Sequence, residues 1–231
     1  MSRGKTPVRI IDSNSFDFQH YKEQIEKIQK NYTGLEKYIQ SVVIKPFLDK
    51  LLINHGDLSV IDVSTNSSYS KHDTSVYSGK SRVVDLLVAR DYNHHNIENA
   101  DIIEYIAVVE VKSPFLKEKI YNKAAIDVRE IIKNYGYFEA PKIDKFIMTD
   151  GLSWHFFMKN QPNKDRTISL IQRVEEENIL VVKEQKVIWK EGQKEEFDIS
   201  DAIPTFPKYH LTKDPEDWGN LISYLYTFLT Q

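Results

Sequence analysis

Hydrophobic positions recur every three or four residues in two stretches near the start of the chain. This spacing predicts two amphipathic helices, the first beginning near Ser15. The apolar side of the first comprises Phe18, Tyr21, Ile25 and Ile28, and that of the second Leu35, Ile39, Val42, Val43, Phe47 and Leu51. Pro46 lies within the second helix and is expected to bend it. Residues 1–14 lack such a pattern, and we expect them to form a flexible arm.

Continuous apolar runs follow the helices, and they predict buried β-strands at residues 82–89 and 103–112. A hairpin is predicted further along, where strands at 145–149 and 153–157 flank Asp150 and Gly151, a pair of residues typical of tight turns. The aromatic residues of its second strand are expected to contribute to the core. Between the two strand pairs, the sequence predicts a helix from Phe115 to Tyr135, with Pro114 at its first turn and Gly136 as its stop.

The last third of the chain predicts additional strands and one helix. Strand-like runs occur near residues 167–174, 178–183 and 186–190, and an amphipathic helix is predicted from about Pro215 to Leu229. The order of elements predicts an α/β fold in which helices flank a mixed central sheet. We expect one domain over residues 1–231, with a core at 15–160 and an extension of strands and a helix at 161–231.

Composition supports a folded domain and narrows its chemistry. The chain has 231 residues, of which 41% are hydrophobic and 12% aromatic, unlike a disordered segment. It has no cysteine, which excludes disulfides, a thiol nucleophile and cysteine-ligated zinc. The net charge of −3 is unlike that of a generic basic nucleic-acid binder, so any basic surface would be local. No signal peptide or membrane-spanning run is evident, so we expect a cytoplasmic protein without a membrane partner.

Charged residues inside the two apolar runs are the most informative feature of the sequence. Side chains alternate along a strand, so Glu110 and Lys112 are expected to project from the same face. Asp85 is a lone acid within the preceding run. Isolated charges in apolar strands are costly unless they are paired or bind a metal. An acid on one strand and Glu-x-Lys at the end of the next are typical of metal-dependent phosphodiesterase sites.

This arrangement resembles the PD-(D/E)xK nuclease superfamily, which has the restriction-endonuclease-like fold. Asp85 and Glu110-Val111-Lys112 match the superfamily motif. The similarity extends to the N-terminal nuclease domain of type I restriction enzyme R (motor) subunits and covers roughly residues 33–158. It rests on two further blocks, Leu35-Glu36-Lys37-Tyr38 with Ile44-Lys45-Pro46-Phe47-Leu48, and Ile147-Met148-Thr149-Asp150-Gly151-Leu152-Ser153-Trp154.

Two positions depart from the patterns of these families. Val84 stands where the superfamily motif has proline, a change that leaves the acidic residues in place. Ile131 stands four residues before Tyr135, where type I subunits have the glutamine of a Gln-x-x-x-Tyr motif. The second departure affects the type I role more than it affects nuclease chemistry.

The residue types also suit phosphodiester hydrolysis on chemical grounds. Mg²⁺ prefers oxygen ligands, and Asp85, Glu110 and the Val111 carbonyl would supply three; Mn²⁺ is an alternative ion. Lys112 could orient or deprotonate the attacking water and balance developing negative charge. Glu36, on a helix facing the strands, could add a ligand or hold a second ion. Each acid also has a structural interpretation, as a paired core residue or a favourable charge in a first helical turn.

The helix predicted after the Glu-x-Lys motif carries several basic residues. Lys119 and Lys123 would lie one turn apart, and Arg129 and Lys133 would form another such pair. They could contact nucleic-acid phosphates, although acidic neighbours make an ordinary solvated helix face the better interpretation.

The sequence thus predicts a metal-dependent nuclease, with DNA the expected substrate, in restriction, defence or DNA repair. Two alternatives stay open. One is a binding module for nucleic acid or protein that keeps this fold without catalysis. The other is a subunit that cuts only with a separate motor or specificity partner. Whether the chain forms a homodimer or joins a restriction complex is also left open.

Overall fold

The computed structural model describes residues 16–30, 36–64, 77, 83–92, 103–115, 119–179, 182–192, 194–196, 210–212 and 214–231. The arm predicted at residues 1–14 lies outside the described residues. The described part is a mixed α/β structure with a six-stranded mixed sheet and helices against it. None of its helices is long and apolar enough to cross a membrane.

The main sheet follows the chain order from one edge to the other, β1-β2-β3-β4-β5-β6. Its strands are β1 (Leu58–Asp62), β2 (Leu86–Arg90), β3 (Glu104–Val111), β4 (Lys145–Thr149), β5 (Ser153–Met158) and β6 (Arg166–Ser169). β3 and β4 run parallel, and the other neighbouring pairs are antiparallel. The two predicted central strands and the predicted hairpin are therefore confirmed, although β2 starts four residues later than expected.

Side-chain alternation along these strands separates two hydrophobic clusters, one on each face of the sheet. Val109 and Val111 belong to the first cluster, whereas Val108 belongs to the second. The first also contains residues of α1 (Phe18–Lys30), α3 (Lys45–Leu52) and α5 (Glu216–Thr230). The second contains residues of α4 (Ala125–Asn134). The sheet is thus covered by helices on both faces, as the sequence predicted.

The two N-terminal helices are present, and the second has an irregular middle. It consists of α2 (Glu36–Ile39), a π-helical turn (Gln40–Ile44) and then α3. The π turn comes directly before Pro46, which has no amide hydrogen for a helical hydrogen bond. The irregularity expected at this proline therefore takes the form of a widened turn.

The helix predicted from Phe115 to Tyr135 is much shorter in the structure, because α4 begins only at Ala125. Phe115 packs against the first hydrophobic cluster, and Ile120 is buried in the second. Tyr121 packs against the first cluster again, so residues before α4 contact both clusters, and this tertiary packing overrides helix propensity. Pro114 accordingly lies in a turn. The predicted stop is confirmed, since Gly136 is left-handed with φ 75°.

The C-terminal strands differ from the prediction in their bounds. The predicted run at 167–174 is divided at buried Leu170, since β6 ends before it and β7 (Ile171–Ile179) begins after it. β7 pairs with β8 (Val182–Trp189) in a separate two-stranded sheet, so the strand predicted at 178–183 is divided between the end of β7 and the start of β8. The short strands β9 (Lys194–Glu196) and β10 (His210–Thr212) were not predicted. The terminal helix α5 is confirmed.

Candidate active site at the ends of the central strands

The antiparallel pairing of β2 with β3 brings the two predicted acids together. Leu86 is opposite Val109 in this pairing. The residue before Leu86 and the residue after Val109 therefore meet, and these are Asp85 and Glu110. Directly opposed residues of an antiparallel pair present their side chains on the same face. The register of β2 against β3 therefore places Asp85 beside Glu110, and neither apolar run by itself shows this register.

Lys112 lies beside Glu110, as the alternation of the strand predicted. The Lys112 ammonium donates a hydrogen bond of 2.9 Å to Glu110 Oε1. Glu110 is 4% exposed and Lys112 is 1% exposed, so this strand end is buried and not a solvated terminus. Two buried, opposite charges in direct contact partly offset each other's desolvation.

Asp85 is anchored to both neighbouring elements. Its Oδ2 accepts a hydrogen bond of 2.7 Å from the backbone N–H of Val111, the middle residue of the Glu-x-Lys motif. Its backbone carbonyl accepts a 3.3 Å hydrogen bond from the side-chain amide of Gln40, the first residue of the π turn. Gln40 is buried, and its Oε1 has no hydrogen-bond partner among the described residues. The π turn therefore directs a polar side chain at the strand that carries Asp85.

Glu36 reaches the cluster from the opposite side. It is the first residue of α2, and its Oε1 lies 3.6 Å from Lys112 Nζ. Its side chain is 40% exposed, so it borders solvent, in contrast to Glu110. The ring of Tyr135 lies 5.3 Å from Lys112 Nζ, an additional favourable contact for the cation. All the sequence-predicted acids and Lys112 therefore lie in one region of the structure.

Burial and the neighbouring acid Glu110 together change the pKa of Asp85. Burial, together with the negative charge of Glu110, raises the pKa of Asp85 to about 7, although the Val111 N–H and Lys112 oppose this shift. Burial alone would lower the pKa of Lys112, but the charges of Glu110 and Glu36 outweigh it and raise that pKa. Lys112 is therefore firmly protonated here, and the cluster holds more negative charge than one lysine balances.

This charge balance fits a divalent cation. Asp85 and Glu110 offer two carboxylates on adjacent strands, and a positive ion beside them would relieve the repulsion that raises the pKa of Asp85. Among the described residues, no three Asp, Glu or His side chains are grouped closely enough to form a complete metal site. Mg²⁺ does not require such a group, because it commonly retains several waters and takes only one or two carboxylates. The donor set suits Mg²⁺ better than a metal that needs a closed protein cage.

Comparison with protein-family models, curated proteins and solved structures found no match.

The four basic residues predicted as phosphate contacts do not form one helical surface. Lys119 and Lys123 precede α4, so the one-turn spacing expected for them is wrong. Arg129 is on α4, but it donates hydrogen bonds of 2.7 and 2.9 Å to the two carboxylate oxygens of Asp165. Because Arg129 is engaged in this ion pair, the structure argues for a structural role and not for a phosphate contact. Lys133 is exposed and lies 3.5 Å from Glu130.

Sequence reasoning missed two polar residues that touch the acidic pair. One is Gln40, described above. The other is Tyr137, whose hydroxyl donates a 2.7 Å hydrogen bond to Glu110 Oε2. Gln40 is a polar residue next to the apolar side of the predicted second helix, and it is buried in the structure. That isolated polar position is the sequence signal that could have identified it. Tyr137 directly follows the helix-stop glycine, and nothing local distinguishes it from other core tyrosines.

A second buried polar network lies in the hairpin after the site. Ser153 Oγ is 3.3 Å from Asp150 Oδ1 and 3.2 Å from His155 Nε2, and His155 Nδ1 is 2.9 Å from Thr167 Oγ1. Asp150 Oδ1 also accepts the backbone N–H groups of Leu152 and Ser153, so it stabilises the turn. Ser153 and His155 are fully buried, which excludes a surface nucleophile. We interpret this network as structural.

Proposed function

We propose that the protein is a metal-dependent nuclease with a restriction-endonuclease-like core. It would hydrolyse nucleic-acid phosphodiester bonds, with DNA the expected substrate, in restriction, defence or DNA repair. The observation that carries the proposal is the meeting of Asp85 with Glu110 and Lys112 at one buried strand end. A buried cluster of acids with a single lysine is costly for a purely structural role, because hydrophobic residues of similar volume are often at least as stable.

Asp85 and Glu110 would hold the cation, with the Val111 carbonyl as a backbone ligand between them. Mg²⁺ or Mn²⁺ bound there would neutralise charge on the phosphate and lower the pKa of a bound water. The Val111 N–H keeps Asp85 Oδ2 oriented. Glu36 borders solvent at the edge of the cluster, where it would add a ligand or hold a second ion. The Val111 N–H and Lys112 thus hold the Asp85 and Glu110 carboxylates in place before substrate binds, as electrostatic preorganisation requires.

Lys112 would act on the reacting groups as a cation. Without a bound cation, the charges of Glu110 and Glu36 outweigh burial and raise the pKa of Lys112, which favours a role as a cation over a role as a general base. A protonated amine can donate a hydrogen bond to the attacking water or to a phosphate oxygen as negative charge develops.

The proposal is tested by measuring Mg²⁺ and Mn²⁺ binding by calorimetry, together with plasmid nicking. We expect wild type to bind and nick, and Asp85→Ala and Glu110→Ala to lose both activities. Lys112→Ala should bind metal and lose nicking. Asp49→Ala is the control, because this exposed acid pairs with Lys45 away from the cluster and its loss should change neither measurement. Absence of metal binding by folded wild type would refute the proposal.

One observation favours a non-catalytic binding module as the second candidate. Lys112 is almost fully buried and bonded to Glu110, so it is a satisfied ion pair without any substrate. A module of this kind would bind nucleic acid or protein, and Glu110→Ala would leave that binding unchanged. Metal binding without nicking would instead indicate a subunit that needs a motor or specificity partner.

A further inference from the structure

Tyr137 makes a buried hydrogen bond to the acid at the centre of the cluster. Its hydroxyl donates to Glu110 Oε2 at 2.7 Å, and the tyrosine is 1% exposed. A hydrogen bond to an ionised acceptor is roughly twice as strong as one between neutral groups. This residue is not part of the Glu-x-Lys motif, and it lies 27 residues away from Glu110 along the chain.

The end of α4 determines where this hydroxyl lies. Gly136 adopts the left-handed conformation with φ 75°, which ends the helix and reverses the direction of the chain. Tyr137 then begins a 3₁₀ turn (Tyr137–Glu139), closed by hydrogen bonds from Glu139 N to Gly136 O and from Ala140 N to Tyr137 O. The ring packs edge-on against Tyr135 at 5.6 Å. The position of the hydroxyl is therefore fixed by backbone geometry and ring packing.

Glu110 is consequently held by one donor on each oxygen, Lys112 on Oε1 and Tyr137 on Oε2. A carboxylate has about four lone-pair positions, so two such bonds leave capacity for a cation. They also restrict rotation of the carboxylate about its terminal bond. An acid restricted in this way loses less conformational freedom when it binds a metal.

We infer that Tyr137 is a positioning residue that orients the Glu110 carboxylate for the divalent cation. The inference rests on the proposed function, because it assigns a partner to one of the proposed metal ligands. A phenylalanine would fill nearly the same volume in this core, so packing alone does not require the hydroxyl. The hydroxyl instead serves to hold the Glu110 carboxylate by its hydrogen bond to Oε2. Loss of such an outer hydrogen bond to a ligand typically weakens metal affinity by about 10–100-fold.

The test compares Tyr137→Phe with Tyr21→Phe. Tyr21 is a matched control, because its buried hydroxyl donates a 2.8 Å hydrogen bond to the Gly151 carbonyl and not to an acid of the cluster. Mn²⁺ affinity is measured by calorimetry for wild type and both variants, after circular dichroism confirms that each is folded. Glu110→Gln is measured alongside them, and it should bind Mn²⁺ more weakly than Tyr137→Phe does.

We expect Tyr137→Phe to bind Mn²⁺ about 10–100-fold more weakly and Tyr21→Phe to bind it like wild type. Nicking by Tyr137→Phe should also recover as the metal concentration is raised, which a loss of folding would not produce. Wild-type affinity in Tyr137→Phe would overturn the inference and leave the proposed function standing. If folded wild type binds no metal, the proposed function fails and the inference fails with it.

Discussion

Replacing Lys112 with methionine tests whether the buried ion pair holds the strand end together. Methionine keeps most of the side-chain volume and removes the charge. Glu110 would then keep its bond to Tyr137 but lose its cation, while Asp85 remains nearby. Breaking a buried pair by removing one partner costs about 3–5 kcal/mol. Because the Tyr137 bond persists, we expect a loss near 3 kcal/mol, a large part of a typical stability of about 5–15 kcal/mol.

Urea unfolding at pH 7, followed by circular dichroism, measures this loss. Lys45→Met is the control, since its pair with Asp49 borders solvent, with side chains 31% and 46% exposed, and we expect a change below about 0.5 kcal/mol. A double variant, Lys112→Met with Glu110→Gln, should recover much of the lost stability because no charge is left uncompensated. A loss below about 1 kcal/mol in Lys112→Met would show that the pair is solvated, and the reasoning from burial would be refuted.

Three further changes test the structure outside this ion pair. Burial raises the pKa of Asp150 to about 6 in the folded state, above its unfolded value near 3.8. The folded state thus binds more protons between these values, so the free energy of unfolding should fall as pH rises from about 4 to 6. Asp150→Asn should lack this fall and gain up to about 2–3 kcal/mol relative to wild type above pH 6, measured by urea unfolding across pH. Equal pH slopes for the two proteins would contradict this. Arg129→Ala should lower stability by about 2–4 kcal/mol by leaving its partly buried partners unpaired, whereas Lys133→Ala should be nearly neutral. Equal thermal shifts would contradict the structural role of Arg129. Gly151→Ala should lose more than about 1 kcal/mol, because φ is 82° and an added Cβ would lie 2.8 Å from a side-chain carbon of Ile25. Gly219→Ala, in open space on α5, should gain about 0.5–1 kcal/mol, and thermal unfolding of both variants decides between these signs.

The acids could be predicted because their chemistry contrasts with their surroundings. Asp85 and Glu110 interrupt apolar runs, and such interruptions are visible in a single sequence. Alternation also predicted that Glu110 and Lys112 share a face, and their 2.9 Å contact confirms it. What the runs did not contain was the register that sets Asp85 opposite Glu110. That register depends on how two separate strands align.

Other features depend on contacts between distant parts of the chain. The sequence after Lys112 favours helix, yet residues on this segment pack against both hydrophobic clusters and α4 starts ten residues late. Tyr137 meets Glu110 only because α4 ends in a left-handed glycine. The four basic residues were predicted as phosphate contacts on the assumption of a longer helix. Because α4 begins at Ala125, two of them precede the helix and the four do not share one surface. Local pattern therefore located the acids but not the residues that hold them.

The parallel alignment of β3 with β4 has a consequence for the order of folding. Antiparallel neighbours can pair through a short turn, but these two strands can pair only after the intervening segment with α4 has closed. The Lys112 N–H donates to the Thr149 carbonyl at 2.8 Å, so this long-range pairing also holds the lysine of the acidic cluster. A nascent chain that ends before β4 therefore lacks a fixed Lys112. Any chemistry at this strand end is consequently restricted to molecules in which β3 and β4 have already paired.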